Sequence, residues 1–168
     1  MDAIVYTSNT GYTAAYADLL GEKTGLPVYS LKDAGSGIRA DAEIIYLGWL
    51  MAGNIMGYRK AARRYRIRAV CGVGMAKSGT QLDEARKANK IPAQVPLYTL
   101  QGGFDITRLR GIYKLMMTAM AKGVGQKLAA KADKTAEEAD MLDMMQHGGS
   151  RVCVENLAGL LAWYEKER

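Results

Sequence analysis

Near its N-terminus the chain gathers Ser8, Asn9, Thr10, Gly11 and Thr13 between an apolar run, Ala3-Ile4-Val5-Tyr6, and an Ala/Leu-rich stretch from Ala14 to Leu20. The run reads as a buried strand and the stretch as a helix, so these polar residues stand where a strand ends and a helix begins. A helix start offers unpaired backbone N–H groups and a partial positive charge, which suits an anion. Ser8, Thr10 and Thr13 add hydroxyl donors, and Gly11 lets the backbone come close to a ligand. There is no Gly-Lys-Ser/Thr for a nucleoside triphosphate and no Gly-x-Gly-x-x-Gly for a dinucleotide, since Gly11 is the only glycine of the turn. What remains is a cradle of neutral donors, without a cation, that suits one terminal phosphate monoester. The plain alternative is a polar turn with Thr13 as a helix cap.

The elements that would position this turn alternate. Strands are expected at Ala3–Tyr6, Pro27–Leu31, Glu43–Leu47, Arg68–Val73 and Pro96–Leu100. Helices are expected at about Thr13–Thr24, Ile55–Tyr65, Gln81–Ala88 and Asn156–Glu167, the first closed by Gly25 and stopped by Pro27. The alternation implies an α/β fold with a parallel sheet covered on both faces. At 168 residues this is one domain, 1–168, with room for a real core. No apolar run approaches the ~20 residues that cross a bilayer. Asp2 stands where a secretory signal would carry basic residues, so a cytoplasmic protein is expected. Cys71 and Cys153 match no metal or redox spacing, and Cys71 reads as a small core residue. The net charge of +6 favours acidic proteins, anionic lipid or acidic small molecules. No motif supports nucleic-acid binding.

The stretch Tyr6-Thr7-Ser8-Asn9-Thr10-Gly11-Tyr12-Thr13, followed by Ala17 and Leu20, resembles the FMN phosphate-binding signature of the flavodoxin family. That signature is an aromatic-ended first strand, Ser/Thr-x-Thr-Gly-x-Thr, then Ala and an aliphatic residue on the first helix. The resemblance implies a flavodoxin-like three-layer fold with a five-stranded parallel sheet in the order 2-1-3-4-5. It also implies FMN at the switch between strands one and three, flavodoxin being the standing example of that rule. Ser8, Asn9, Thr10, Gly11, Tyr12 and Thr13 are then expected to hold the phosphate. The loop Gly48-Trp49-Leu50-Met51-Ala52-Gly53 is expected to contact the isoalloxazine ring, with Trp49 able to stack on it. The loop Gly72–Gly79 would supply Gly74, Met75 and Ala76 at the second ring-binding position, Met75 covering a ring face by a sulfur–aromatic contact. No aromatic residue stands there, which leaves one ring face open to a substrate or partner.

Two charged or sulfur-rich stretches remain. Arg59, Lys60, Arg63, Arg64, Arg66 and Arg68 crowd the helix after the Trp49 loop, either as a solvated face or to steer an anion to the crevice. Beyond strand five, a helical insertion over about 105–149 separates the sheet from its closing helix. Ile106, Leu109, Tyr113, Met116, Met117 and Met120 recur there at helical spacing, with Asp105 as a cap and a basic linker over Gly123–Lys134. A capping box, Thr135-x-x-Glu138, opens a second helix through Met141, Leu142, Met144 and Met145. His147, the only histidine, sits at its end as a C-terminal cation. The methionine stripe reads as core, or as an adaptable surface for a flat apolar ligand, a quinone or a peripheral membrane contact. The insertion resembles, loosely, that of the flavodoxin-like, menaquinone-dependent protoporphyrinogen oxidases, which implies basic residues receiving propionates.

Three functions stay open on the sequence: an FMN electron carrier with an acidic redox partner protein, an FMN-dependent oxidoreductase of the protoporphyrinogen oxidase type acting on a small molecule with a quinone acceptor, and a flavin-free interaction domain. No Ser/His/Asp set, metal spacing or paired carboxylate suggests another catalytic centre, and in the first two readings the chemistry belongs to the flavin.

Overall fold

A computed structural model describes the chain over Met1–Arg168. Strand β1 (Ala3–Thr7) leads into α1 (Tyr12–Thr24), followed by β2 (Val28–Ser30) and a single turn, α2 (Ala34–Gly37). Next come β3 (Glu43–Met51), β4 (Asn54–Ile55), α3 (Tyr58–Ala62), β5 (Arg66–Gly74), α4 (Leu82–Asn89) and β6 (Leu97–Gln101). The chain then passes through β7 (Gly103–Phe104), α5 (Gly111–Ala130), α6 (Ala136–His147) and β8 (Gly149–Ser150), and closes with a 3-10 turn (Val154–Leu157) and α7 (Ala158–Glu167).

The main strands lie parallel in the order β2-β1-β3-β5-β6, with β4 antiparallel on the end of β3. Because side chains alternate across a strand, each central strand feeds two cores. Val5, Ile44, Tyr46 and Val70 pack under Tyr58 and Ala61 of α3 and Ala85 of α4. Ile4, Ile45, Leu47 and Cys71 pack under Tyr16 and Leu20 of α1 and Leu160 and Tyr164 of α7. The molecule is thus an α/β fold of three layers. Gly25 ends α1 in the left-handed region (φ 73°), its N–H donating to the Gly21 carbonyl at 2.8 Å.

Several element ends differ from the sequence expectation. Strand β3 runs past Leu47 to Met51, so the expected loop after Gly48 is a hairpin with β4. Ala52 (φ 47°) and Gly53 (φ 75°) form its two-residue turn. Gly48 permits the hairpin: a Cβ there would lie 2.6 Å from both Ile55 and the Met56 carbonyl. With Asn54 and Ile55 in β4, the helix expected over Ile55–Tyr65 shortens to α3. In the insertion, α5 starts later and continues through Gly123 and Gly125 into the expected linker. Its last residues, Gln126–Ala130, are good helix formers, which offsets two glycines costing about 1 kcal/mol each. Asp105 does not cap α5. It accepts from the Thr107 N–H at 2.9 Å and pairs with Arg108 at 3.0 Å. The Thr135/Glu138 capping box does form at the start of α6.

The insertion leaves and rejoins the core at one place, where β7 and β8 pair antiparallel. There Tyr16, buried within α1, donates from its hydroxyl to the Gln101 carbonyl at 2.5 Å and accepts from the Asn156 amide at 2.6 Å. Ser78 donates to Asn156 Oδ1 at 2.8 Å and accepts from the Gln101 N–H at 2.9 Å. The Gln101 side chain reaches Asp140 of α6 at 2.8 Å, and Arg151 Nε reaches the same carboxylate at 2.9 Å. That pairing raises the pKa of Arg151 further, through its hydrogen bond to Asp140 first and then the charge of that carboxylate.

The two cysteines sit in contrasting environments. Cys71 is fully buried in β5 and burial pushes its thiol pKa up, whereas Cys153 is half-buried and free. Titration of the native protein with a thiol reagent should therefore label one sulfur rapidly and the second only on unfolding. Two fast equivalents would contradict the placement of Cys71.

Candidate functional site

The C-terminal ends of β1, β3 and β5 open onto one crevice of about 500 Å³, counting its solvent-open part. The first βα turn supplies Asn9, Thr10, Tyr12 and Thr13, β3 supplies Trp49 and Leu50, and β5 with its following loop supplies Val73, Gly74 and Met75. Gly103, Leu109 and Met117 close it from the insertion side. The wall is apolar around Trp49 and Met75 and polar at the turn, a division that suits an amphiphilic ligand.

The polar end is built by the backbone. Gly11 (φ 98°) is the residue before α1, and its own N–H donates to Ser8 Oγ at 3.1 Å. Ala15 is the first amide to find a helical carbonyl, that of Gly11 at 2.9 Å. The N–H groups of Tyr12, Thr13 and Ala14 precede it and are the free donors of the first turn. Thr13 lies inside the helix and is buried, so it is not the cap, and its hydroxyl makes no hydrogen bond within the protein. Arg108 adds a cation that the local sequence did not reveal. Its guanidinium donates to the Thr10 carbonyl at 3.3 Å and lies 3.5 Å from where a Cβ on Gly11 would stand. Asp105 holds it from the other side, and its carboxyl pKa lies below the ordinary value, first through its hydrogen bond to Thr107. The cradle therefore has a positive charge at its mouth.

At the apolar end, Trp49 meets Tyr113 of α5 edge to face, with ring centroids 5.3 Å apart. Leu50 lies over Gly72 and Gly74, where added Cβ atoms would stand 2.9 and 3.4 Å from it. Tyr12 packs against Gly103, and burial raises its phenol pKa, with Asp105 adding to the shift. The Met75 carbonyl accepts from the Gln101 side chain at 3.3 Å, so the loop after β5 is tied to the end of β6.

Not every expected residue reaches the crevice. Ser8 and Gly11 border a separate, more open depression on the β2 side, about 740 Å³ by the same measure, with Ser30 and Lys32. Asn9 stands between the two spaces. Gly48 is buried beneath the hairpin. Met51 and Ala52 are carried past the crevice because the hairpin is pinned to α4: Asn89 accepts from the Ile55 N–H at 3.0 Å and donates to the Gly53 carbonyl at 2.9 Å. Met51 then borders a depression with Arg59 and Lys60. Ala76 faces a separate polar cleft with Lys77, Thr80 and Glu137.

The basic run does not line the crevice. Arg64 donates to the Gly35 carbonyl at 3.3 Å and lies over the Tyr65 ring. Arg68 bridges Glu43 and Glu167 at 2.8 and 2.6 Å, at the opposite end of the sheet. His147 pairs with Asp143 at 3.0 Å, on the last turn of α6. No group of three or more His, Cys, Asp and Glu side chains is placed to hold a metal ion. No helix is long and apolar enough to cross a membrane. Compared with protein-family models, with curated proteins and with solved structures, the chain matches none.

The Thr13 hydroxyl separates a structural turn from a ligand cradle. Since it makes no bond within the fold, Thr13→Val should change the unfolding free energy from urea denaturation by less than about 1 kcal/mol. A structural hydroxyl would cost roughly 1–3 kcal/mol. A loss in that larger range would return Thr13 to a purely structural role.

Proposed function

We propose that the crevice holds FMN and that the protein is a flavodoxin-like electron-transfer protein. The observation that carries this reading is that Asn9, Thr10, Tyr12 and Thr13 of the polar turn share one space with the slot walled by Trp49 and Met75, at the ends of β1, β3 and β5. The parallel order β2-β1-β3-β5-β6 in a three-layer α/β fold supports the reading. The switch between β1 and β3 then falls beside the cradle, where such sheets take their ligands.

The residues present fit the group. The free N–H groups of Tyr12, Thr13 and Ala14 and the Thr10 and Thr13 hydroxyls suit a phosphate monoester. Arg108 favours its doubly charged form. Trp49 and Met75 suit a planar ring, and Leu109 and Met117 exclude water from it. When bound, FMN supplies the redox chemistry, accepting and donating one or two electrons. This chain's own residues bind, orient and shield; none of the crevice residues is placed to act as an acid or base at a stated atom.

One observation favours a second reading, an oxidoreductase of the protoporphyrinogen oxidase type. The insertion walls the crevice with Leu109 and Met117 and seats Tyr113 on Trp49 instead of leaving the slot open to a protein partner, and Arg108 stands at its mouth for an acidic group of a substrate.

Quenching of FMN fluorescence by the purified protein tests the main reading. FMN should bind at least about 100-fold more tightly than riboflavin, since charge-assisted hydrogen bonds contribute roughly 1.5–3 kcal/mol each. Thr10→Ala combined with Thr13→Val should weaken FMN about tenfold or more and leave riboflavin unchanged. Equal loss for both flavins would overturn the phosphate assignment, and no quenching at all would leave the flavin-free interaction domain. Arg108→Gln should likewise weaken FMN selectively, by about tenfold. Consumption of a porphyrinogen with a soluble quinone as acceptor, lowered by Tyr113→Ala, would select the oxidase over the carrier.

A further inference from the structure

Helix α5 buries none of its residues, although it is the longest helix of the chain. One side packs inward through Tyr113 on Trp49 and Met117 in the crevice. Ile112 and Leu115 point away from that side and Met116 and Met120 fall between the two; all four are exposed, to 67, 72, 48 and 40%. These are the only large hydrophobic side chains so exposed in the protein, and they fall on successive turns of one helix face.

Charge identifies what this face meets. Between Ile106 and Lys134 the chain has seven basic residues and one acid, Asp133, so this segment carries the whole net charge of +6. Helix α5 itself contains Lys114, Lys122 and Lys127 and no acidic residue. At helical spacing Lys122 borders the apolar stripe two turns beyond Leu115, and Lys127 falls within it two turns beyond Met120. A second copy of the same face would bring these cations together without a carboxylate on the helix to oppose them. A folded protein partner needs shape complementarity, whereas a lipid surface needs only an apolar stripe flanked by cations.

We infer that α5 docks on an anionic lipid bilayer, lying in the interface plane with Ile112, Leu115, Met116 and Met120 in the acyl boundary and Lys122 and Lys127 on lipid phosphates. The helix does not span the bilayer. This inference stands apart from the flavin reading, because Ile112 and Leu115, which the test replaces, are turned away from Tyr113 and Met117.

Sedimentation of the full-length protein with vesicles tests it. The protein should bind vesicles of phosphatidylcholine with about 30% phosphatidylglycerol at low salt, and far less to phosphatidylcholine alone. Ile112→Gln combined with Leu115→Glu should reduce that binding about tenfold or more while leaving the thermal midpoint unchanged, since both side chains are exposed. Lys122→Gln with Lys127→Gln should weaken binding to the anionic vesicles and flatten its salt dependence. Failure to bind either vesicle would overturn the inference and leave a protein as the occupant. So would binding indifferent to the Ile112 and Leu115 substitutions. A dimer in sedimentation velocity that the same substitutions dissolve would also overturn it, assigning the face to a second copy.

Discussion

The structure depends on the hydrogen-bonded junction around Tyr16. At the end of β6 the chain must leave the sheet, make a long excursion and return to lay α7 on the core. A buried phenol hydroxyl, a half-buried amide and a serine hydroxyl meet there, and each is satisfied by the others. Such a network is stabilising only when complete, because an unpaired polar group in a low-dielectric interior costs what a partner would have supplied. It fixes the Gln101 backbone, and the Gln101 side chain fixes both the loop after β5 and α6. The crevice thus inherits two of its walls from a junction that does not itself line it.

How much was legible in the sequence follows from the range of the interactions. Strands β1, β3, β5 and β6 announced themselves as apolar runs, because burial on both faces leaves no other pattern. The turn at Ser8–Thr13 was legible too, since its strand, glycine and helix are contiguous. Arg108 was not: it reaches the cradle across 98 positions, and nothing near Thr10 signals a cation. The Met51–Ala52 assignment failed for a similar reason. The hairpin turn is local, but its direction is set by Asn89 on α4, a residue that reads in sequence as an ordinary helix end. The partners of Arg59, Arg64 and Arg68 were not legible either, because the Ala88 and Gly35 carbonyls and the Glu43 and Glu167 carboxylates are distant in sequence.

The insertion divides its labour between two sides. Its inner side lends Met117 and Leu109 to the crevice and backs Trp49 with Tyr113, and its outer side keeps apolar residues in solvent that a helix used only for packing would have turned inward. Helix α6 is the mount. Arg151 pairs with Asp140 and Asp143 on it, and Lys77 pairs with Glu137 at its first turn. These pairs are partly exposed and individually weak, but they act from both ends of the helix. The core therefore holds α6 directly and α5 largely through α6.

The two-residue ladder of β7 and β8 has a topological consequence. It brings Phe104 opposite Gly149, so the ends of the excursion are already neighbours before any of the intervening chain is placed. The entropy of closing a loop grows only with the logarithm of its length, so an excursion of about 44 residues costs little more than one half as long. The sheet is consequently indifferent to how much chain is hung from this point. Length and composition in the insertion can drift without disturbing the strands, while the cradle on the far side of the crevice stays fixed. The protein is built as a sheet half, whose strand ends floor the crevice, and an inserted half, which walls it from one side.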